Sequence, residues 1–216
     1  MLDTPDPRAA SIEVVIGGAV EEINARAAAV SADVIVLGWH RSRGEFDDLL
    51  GTTADRIIRT SAVPCLLANA ELRWPPSRVL IPTDFSVPAR HAVGMGIDWL
   101  VGLFRDAPPA KPCDVQILHV NAFSAPSYRP LNVERPLGEE VNRARERASD
   151  ALHLSARIVH EPSADAGIRR VAAEGTDLVI LGTHGYNWLG RALIGSVASA
   201  VARTLDHPIL LVPPER

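Results

Sequence analysis

The fold is indicated by residues 177–185, Asp-Leu-Val-Ile-Leu-Gly-Thr-His-Gly, in which a short apolar run is followed by Gly182 and Gly185. Gly195-Ser196 follows after nine further residues. A brief run rich in Val, Ile and Leu, bounded by Asp and Gly, predicts a strand that is buried on both faces of a parallel sheet. Gly195-Ser196 opens an Ala-rich segment and predicts the start of a helix. Parallel sheets form ligand crevices where their strands end, and helix N-termini attract phosphate. The stretch therefore indicates an α/β fold with a candidate phosphate site.

Each glycine in this stretch also has a plain structural interpretation. A Gly-containing turn followed by a serine N-cap joins many strands to many helices without any ligand. Glycine permits positive φ, and it also lets a backbone approach a ligand closely. The ligand interpretation gains weight only where a second loop converges on the same crevice.

A second loop of this kind lies at residues 81–86, Ile-Pro-Thr-Asp-Phe-Ser, directly after the apolar run 78–82. A carboxylate at the carboxyl end of a strand accepts hydrogen bonds from a sugar or a base, which would make Asp84 a ligand contact. The alternative is that Asp84 caps the helix that begins near Ala89. We favour the ligand role because the glycine motif is present in the same chain.

The glycine pattern occurs twice in the chain. At an offset of 144 residues, five matches align without a gap: Asp33 with Asp177, Gly38 with Gly182, Gly51 with Gly195, Thr52 with Ser196 and Pro64 with Pro208. Arg41 stands where the intact copy has Gly185. A repeat of this length favours two related units, of which the second is intact.

Strand-like and helix-like segments alternate along the chain. The clearest strands are 33–38, 78–82, 115–120 and 177–182, with shorter candidates at 12–16, 65–68, 156–160 and 209–212. Helix-like segments lie at 20–30, 89–104, 139–154 and 195–205. The alternation predicts an open parallel sheet with helices on both faces, preceded by a partial α/β repeat.

Consecutive prolines at 75 and 76 mark a linker, because proline interrupts regular structure. We place the boundary there, with a degenerate partial repeat at 1–73 and a complete domain at 74–216. The first unit has room for three of the five strands of the second. We expect a three-stranded remnant, and two alternatives stay open: its first strand pairs with another sheet, or residues upstream of Met1 are missing. The Pro-rich stretches 108–112 and 125–136 predict loops.

Composition narrows the class of protein. The chain has 216 residues, of which 47% are apolar and 22% charged, and this balance favours a folded domain with a substantial core. The net charge of −4 argues against a nucleic-acid partner, and no apolar run is long enough to span a bilayer, so we expect a cytoplasmic protein. Cys65 and Cys113 are too few for a disulfide framework and predict buried apolar side chains. The histidine spacing predicts no metal site.

These residues resemble the universal stress protein family. Val79-Leu80-Ile81-Pro82-Thr83-Asp84-Phe85-Ser86 is similar to the opening strand and turn of the family, and Gly182-x-x-Gly185 with Gly195-Ser196 is similar to its ATP-binding signature. The ending at 206–213 is similar to the last strand of the family. The resemblance covers the second unit and, more weakly, residues 11–69.

The resemblance implies a Rossmann-like, five-stranded parallel sheet of the adenine nucleotide α-hydrolase-like type, in the strand order 3-2-1-4-5, with ATP at the carboxyl edge and Mg²⁺ as its possible companion. It implies that Asp84 and the backbone at Val120 lie on the adenine side, and that Gly182, Gly185, Gly195, Ser196 and Val197 hold the ribose and phosphates. The remaining residues of the implied site are Pro82, Thr83, Leu181, Thr183, His184 and Arg191. For His184, a solvent-exposed loop position is the preferred interpretation.

The first copy lacks the second glycine and any counterpart of Asp84, so we expect one ATP site per chain. In the family the last strand pairs across a dimer interface, which implies a homodimer or an internal pseudo-dimer through the strands near Cys65 and Ile209. The sequence has no Walker lysine and no kinase-type Asp and Asn pair, so we expect a nucleotide-responsive stress protein with at most slow ATP hydrolysis. One alternative is a nucleotide-independent interaction module. Another is an enzyme of the wider hydrolase group, whose Ser-Gly-Gly loop is absent from the sequence.

Overall fold

A computed structural model of the chain describes residues 11–38, 52–68, 72–123, 132–185 and 194–215. Within these ranges the strands are β1 (Ile35–Gly38), β2 (Cys65–Ala68), β3 (Arg78–Pro82), β4 (Cys113–Ala122), β5 (Leu152–Glu161), β6 (Leu178–Gly182) and β7 (Ile209–Val212). The helices are α1 (Ala19–Ala29), α2 (Thr52–Thr60), α3 (Val87–Phe104), α4 (Glu134–Arg147), α5 (Ala164–Ala172) and α6 (Ser196–Thr204). The predicted α/β class with a parallel-dominated sheet is confirmed.

All seven strands form a single sheet in the order β1-β2-β7-β6-β3-β4-β5. The prediction of a five-stranded sheet is therefore wrong, and the order of the whole sheet differs from 3-2-1-4-5. The cause is an antiparallel pairing of β2 with β7, in which Leu66 lies opposite Leu210, while the other pairings are parallel. Within the sheet, the strands of residues 78–212 follow one another as β5-β4-β3-β6-β7.

Helices cover both faces of the sheet and divide the core in two. One apolar cluster joins α1 and α2 with α5 and α6, and the other joins α3 with α4. Because side chains alternate between the faces of a strand, neighbouring residues of β2 enter different clusters: Leu67 lies in the first and Leu66 in the second. The two described helices of the first unit, α1 and α2, lie on the same face.

Residues 12–16 are not a strand, although their aliphatic composition predicts one. The described residues of the first unit therefore contribute two strands to the sheet and not the expected three. Glu13 of this segment forms an ion pair with Arg26 of α1 at 2.9 Å. A strand needs a neighbour for its backbone hydrogen bonds, and none of the described strands lies beside this segment.

Several helix boundaries differ from the sequence expectation. α4 ends at Arg147 and β5 begins at Leu152, where the helix was expected to continue to residue 154. Proline is tolerated in the first turn of a helix, so Pro136 lies within α4 and not in the expected loop, of which residues 124–131 lie outside the described residues. α2 and α5 have no counterpart among the predicted helices.

The segment between the two units packs against the second unit. The ring of Trp74 contacts that of Trp99 edge to face, with centroids 5.6 Å apart. Asp177 accepts hydrogen bonds from the backbone N–H groups of Ser77 and Arg78, each at 2.9 Å, and from the Ser77 hydroxyl at 2.7 Å. Both cysteines are buried, as predicted. None of the described helices has the length and apolar character needed to cross a membrane.

Candidate functional site

The loop after β3 is held by a chain of local hydrogen bonds. The Thr83 N–H donates to the Leu118 carbonyl of β4 at 2.8 Å, which extends the strand pairing by one residue. The Phe85 N–H donates to the Thr83 hydroxyl at 3.1 Å, and the Ser86 N–H donates to Asp84 Oδ1 at 3.0 Å. Phe85 has a φ of 65°, which is uncommon for a bulky side chain. The loop thus has a defined but strained backbone.

Asp84 is exposed and stands at the outer end of this loop. The N-cap of α3 is Ser86, whose side chain accepts from the Ala89 N–H at 3.3 Å, so Asp84 does not cap that helix. Its carboxylate faces the glycine motif: a Cβ added at Gly185 would lie 3.0 Å from Asp84 Oδ2. The loop that follows β3 and the loop that follows β6 therefore meet at these two residues.

A backbone hydrogen bond joins the two parts of the glycine motif. The Gly195 N–H donates to the Thr183 carbonyl at 2.7 Å, which ties the start of α6 to the end of β6. A Cβ at Gly195 would lie 3.4 Å from that carbonyl oxygen, and one at Gly182 would lie 3.3 Å from the Ala92 Cβ. Among the described glycines only Gly175 has a positive φ, so the motif glycines serve close approach and not an unusual φ.

Helix α6 begins without a side-chain cap. Its N-cap is Gly195, in an extended conformation with φ −57° and ψ 151°, and no side chain accepts a hydrogen bond there. By contrast, α5 begins at Ser163, whose hydroxyl accepts from the Ala166 N–H at 3.3 Å. The first-turn N–H groups of α6, which include those of the exposed Ser196 and the half-buried Val197, carry the positive end of the helix dipole. An anion is the natural partner for such an end.

Thr183 and His184 contact each other inside the motif. Thr183 is 2% exposed, and its hydroxyl oxygen lies 2.9 Å from His184 Nδ1. His184 is half-buried and not the solvent-exposed loop residue that we expected. Burial lowers the pKa of its imidazole below the usual 6.5, so the ring is neutral at physiological pH. Its Nδ1 is taken up by the contact with Thr183 and its Nε2 is buried, so the ring belongs to the packing of the motif.

Val120 lies near the end of β4, and helix α5 packs directly against it. A Cβ added at Gly167 of α5 would lie 2.6 Å from Val120 Cγ1, so glycine is required there for the close approach. The backbone of β4 continues past the end of β3, since Pro82 is paired with Leu118 and the strand runs on to Ala122. Val120 thus borders the crevice on the side of Asp84.

His119 is the site residue that the sequence analysis missed. Its Nδ1 lies 2.9 Å from the Thr83 carbonyl oxygen, which only accepts, so the Nδ1–H donates. Its ring stacks on Phe85 with centroids 4.5 Å apart and planes 20° apart. The side chain therefore braces the loop that carries Asp84. The available signal was a histidine directly after the apolar pair Ile117-Leu118 of the predicted strand, one residue before Val120.

The predicted site residues fall into three groups. The first group lies at the strand ends: Pro82, Thr83, Val120, Leu181, Gly182 and Thr183. The second group lies in the two loops and in the first turn of α6: Asp84, His184, Gly185, Gly195, Ser196 and Val197. Arg191, and in the first copy Arg41 and Gly51, lie outside the described residues. Over the described ranges, no group of three or more His, Cys, Asp or Glu side chains is arranged to hold a metal ion.

Comparisons with known proteins agree with this architecture. The chain is 26% identical over 181 residues to a universal stress protein from Synechocystis sp., an alignment that covers 82% of this chain and 57% of that protein. The chain thus spans little more than half the length of that curated relative.

Two solved structures share the fold. A universal stress protein from Archaeoglobus fulgidus superposes with a TM-score of 0.60 at 19% identity, covering 90% of this chain and 65% of that one. A putative universal stress protein from Pseudomonas aeruginosa gives a TM-score of 0.57 at 18% identity, covering 89% and 67%. The family model described as "Universal stress protein family" matches residues 2–69 and 76–213. This chain belongs to the universal stress protein family.

Proposed function

We propose that the chain binds ATP at the carboxyl ends of β3 and β6 and acts as a nucleotide-responsive regulator through a change of conformation or association. The observation that carries the proposal is the meeting of Asp84, Gly185 and Gly195. An acceptor carboxylate stands on one side of the crevice and an uncapped helix N-terminus on the other. These are the groups that a base or ribose and a phosphate respectively require.

Each part of the ligand has a matching set of residues. Asp84 and the backbone at Val120 would take the adenine side, and the backbone N–H groups of α6 with the Ser196 hydroxyl would take the phosphates. Gly182, Gly185 and Gly195 would keep the backbone close to the ligand. Bound ATP brings its own oxygen ligands for Mg²⁺, which binds nucleotides through phosphates and few protein groups.

The charge of the site argues for binding over hydrolysis. Arg191 is the only Lys or Arg in the predicted set of site residues. Phosphoryl transfer is accelerated mainly by cations and donors placed at the developing charge, and a neutral His184 does not replace them. We therefore propose a nucleotide binder whose output is a change of state, with at most slow hydrolysis.

The proposal is tested by mass spectrometry of small molecules released from the purified chain, followed by calorimetric titration with ATP. Gly195→Ala places a methyl group between the start of α6 and residues 183–185. Its 3.4 Å approach to the Thr183 oxygen is an ordinary contact that the fold accommodates. We expect the Kd to rise at least tenfold, and a similar rise for Asp84→Ala.

Matched controls exist for both variants. A Cβ at Gly102 meets nothing within 4 Å, and Asp98 is an exposed carboxylate on α3 paired with Arg147, so Gly102→Ala and Asp98→Ala should bind ATP like the unmodified chain. Wild-type affinity in both site variants would refute the site assignment. Absence of nucleotide binding in the unmodified chain would refute the function itself.

A second candidate is a nucleotide-independent interaction module. The pairing of β2 with β7 favours it, because this pairing joins the two units through backbone hydrogen bonds that need no ligand. If this alternative holds, partner binding or association will be the same with and without ATP, and the same in Asp84→Ala.

A further inference from the structure

We propose that the groove between α3 and α4 binds a free α-amino acid with an apolar side chain. The groove shares no residue with the predicted nucleotide site, so the proposal does not depend on the binding of ATP. It rests on the shape of the groove, on a buried carboxylate and on the arginines around that carboxylate.

The groove has a volume of about 560 Å³ and is lined by residues within 87–98 of α3, residues within 140–147 of α4, and Glu215. Pockets that bind small molecules commonly have volumes of about 300–1,000 Å³. On α3, Val87, Arg90, Gly94 and Asp98 follow one another at steps of three or four residues, so they lie along one side of the helix. The groove is therefore large enough for a small metabolite that lies along the two helices.

Gly94 keeps the groove open. The nearest atoms to a Cβ added at Gly94 belong to Arg147, whose Nε would lie 3.6 Å away. The Arg147 Nη1 donates to Asp98 Oδ2 at 2.6 Å, so an ion pair between the helices holds this guanidinium in place. A large side chain at position 94 would fill the space in front of it.

Glu140 places a charge at the bottom of the groove. Its side chain is 2% exposed, and buried carboxylates are rare in proteins unless other groups pair with them. Arg143 Nη2 donates to Oε2 at 2.7 Å, and Arg90 Nε lies 3.5 Å from the same oxygen. In the described part of the chain, the contacts of Glu140 thus use Oε2 alone. Because each carboxylate oxygen accepts hydrogen bonds, Oε1 is the atom that remains for a ligand donor.

Arg90 supplies donors at the rim of the groove. Its side chain is 48% exposed, and its Nε is too far from Glu140 Oε2 for a strong hydrogen bond. Among the described residues, no acceptor bonds to its two terminal nitrogens. A guanidinium binds a carboxylate through two parallel N–H bonds. Arg90 is therefore placed to receive a ligand carboxylate beside the buried Glu140.

The charges of the lining favour a ligand that carries both signs. Apart from His91, its ionisable side chains are Arg90, Arg143 and Arg147 and the carboxylates Asp98, Glu140 and Glu215, whose charges sum to zero. A simple anion would be repelled by Glu140, and a simple cation by the arginines. An α-amino acid has its ammonium and carboxylate on one carbon, so the ammonium can donate to Glu140 Oε1 while the carboxylate accepts from Arg90.

Apolar side chains complete the lining and determine the preferred side chain of the ligand. They are Val87 and Met95, which are exposed and half-buried, and Val93 and Ala144, which are 3% and 2% exposed. Methionine adapts to neighbours of different shape because its side chain is unbranched and flexible. An amino acid that is held by its charged groups would pack an aliphatic or thioether side chain against these residues.

Two-dimensional NMR titration of the full chain with L-leucine and L-methionine tests the ligand class. The matched analogues are isoamylamine, which lacks the carboxylate of leucine, and isocaproate, which lacks its ammonium. We expect saturable shifts in the backbone signals of residues 90–98 and 140–147, with a Kd for leucine at least tenfold below that for either analogue. Absence of saturable shifts with both amino acids, or equal affinity for leucine and an analogue, would overturn the proposal.

Variants of the groove test its location. Arg90→Gln removes the charge at the rim, and Gly94→Leu fills the groove beside a flexible Arg147 side chain, so each should raise the Kd for leucine at least tenfold. Two matched controls should leave the Kd unchanged: Arg135→Gln, at an arginine that is 88% exposed on α4, and Gly102→Leu, where a Cβ meets nothing within 4 Å. Circular dichroism verifies that every variant is folded. Unchanged affinity in folded Arg90→Gln would refute the site.

Discussion

Single residues decide how the loop after β3 presents its carboxylate. Asp84 was predicted as a site residue because carboxyl ends of parallel strands meet at one edge of a sheet. The support from His119 could not be predicted, since its hydrogen bond to Thr83 depends on the register that places Pro82 beside Leu118. The stack on Phe85 depends in turn on the positive φ of that residue.

We predict that the two contacts of His119 contribute separately to ATP affinity. His119→Asn keeps a donor near the position of Nδ1 and removes the ring, whereas His119→Phe keeps a ring against Phe85 and removes the donor. Loss of one neutral hydrogen bond is worth about 1 kcal/mol, so we expect a fivefold rise in Kd for the phenylalanine variant and a larger rise for His119→Ala. Calorimetric titration measures the Kd of each variant. If all three variants bind ATP as tightly as the unmodified chain, His119 does not brace the loop.

Asp177 gives a prediction about pH. Burial would raise its pKa, but the hydrogen bonds from Ser77 and Arg78 outweigh that effect and lower the pKa below 3.8. A carboxyl whose pKa is lower in the folded state stabilises the fold above its unfolded pKa, and this contribution is lost as the pH falls through the folded value. Asp177→Asn should therefore cost about 1–2 kcal/mol at pH 7, through weakened hydrogen bonds to a charged acceptor.

Urea denaturation at several pH values checks this prediction. The difference between Asp177→Asn and the unmodified chain should shrink as the pH falls below 3.8, because the carboxyl of the unfolded chain is protonated first and that of the folded chain follows at lower pH. A difference that is constant down to pH 3 would show that the charge of Asp177 has no part in joining the two segments.

At the scale of elements, a strand forms only where strand-forming side chains are combined with a neighbouring strand that accepts its backbone hydrogen bonds. Residues 12–16 have strand-forming side chains, yet none of the described strands pairs with them, so the sequence pattern alone predicted wrongly. The start of α6 was predictable, because Gly195-Ser196 precedes an Ala-rich segment. The absence of a side-chain cap was not predictable. The sequence suggested Ser196 as the N-cap, but the N-cap in the structure is Gly195, which has no side chain to accept a hydrogen bond.

Because α6 begins without a side-chain cap, we predict that adding one raises the stability of the fold and lowers the affinity for ATP. The extended backbone at Gly195 suits an Asn or Asp N-cap, and such a cap is worth about 1 kcal/mol. Gly195→Asn and Gly195→Asp should both raise the Tm, by similar amounts. ATP affinity should fall in both, and at least tenfold further in the aspartate variant, because its charge opposes phosphate.

Thermal unfolding and calorimetric titration of the Asn and Asp variants, side by side, separate the steric from the electrostatic contribution. Equal affinities in the two variants would show that no phosphate approaches this helix end.

At the scale of the whole molecule, the pairing of β2 with β7 turns two units into one sheet. The alternation of strands and helices predicted most elements of the second unit, whereas the described part of the first unit has two strands where three were expected. The family resemblance suggested contact between β2 and β7. The seven-stranded sheet was not predicted, because four-residue strands that lie far apart in sequence give no local signal of their pairing.

We predict a single cooperative unfolding transition for the whole chain. Leu66 lies opposite Leu210, and the two are 3% and 0% exposed. Leu66→Ala should destabilise the fold by about 2–4 kcal/mol through lost burial and a cavity, whereas Val87→Ala, at a site 72% exposed, should change it little. Circular dichroism during urea unfolding measures both. Two separate transitions in the unmodified chain would contradict a shared core.

Because β2 pairs antiparallel with β7, the carboxyl ends of the strands of the two units lie at opposite ends of the sheet. β1 and β2 run against the direction of the other five strands, so Gly38, at the carboxyl end of β1, and Gly182, at the carboxyl end of β6, lie at opposite ends of the strand axis. A ligand at Gly182 is out of reach of anything bound near Gly38. Energetic coupling between these two ends would pass through the contacts that the units share, which are the β2–β7 pairing and the apolar cluster of α1, α2, α5 and α6.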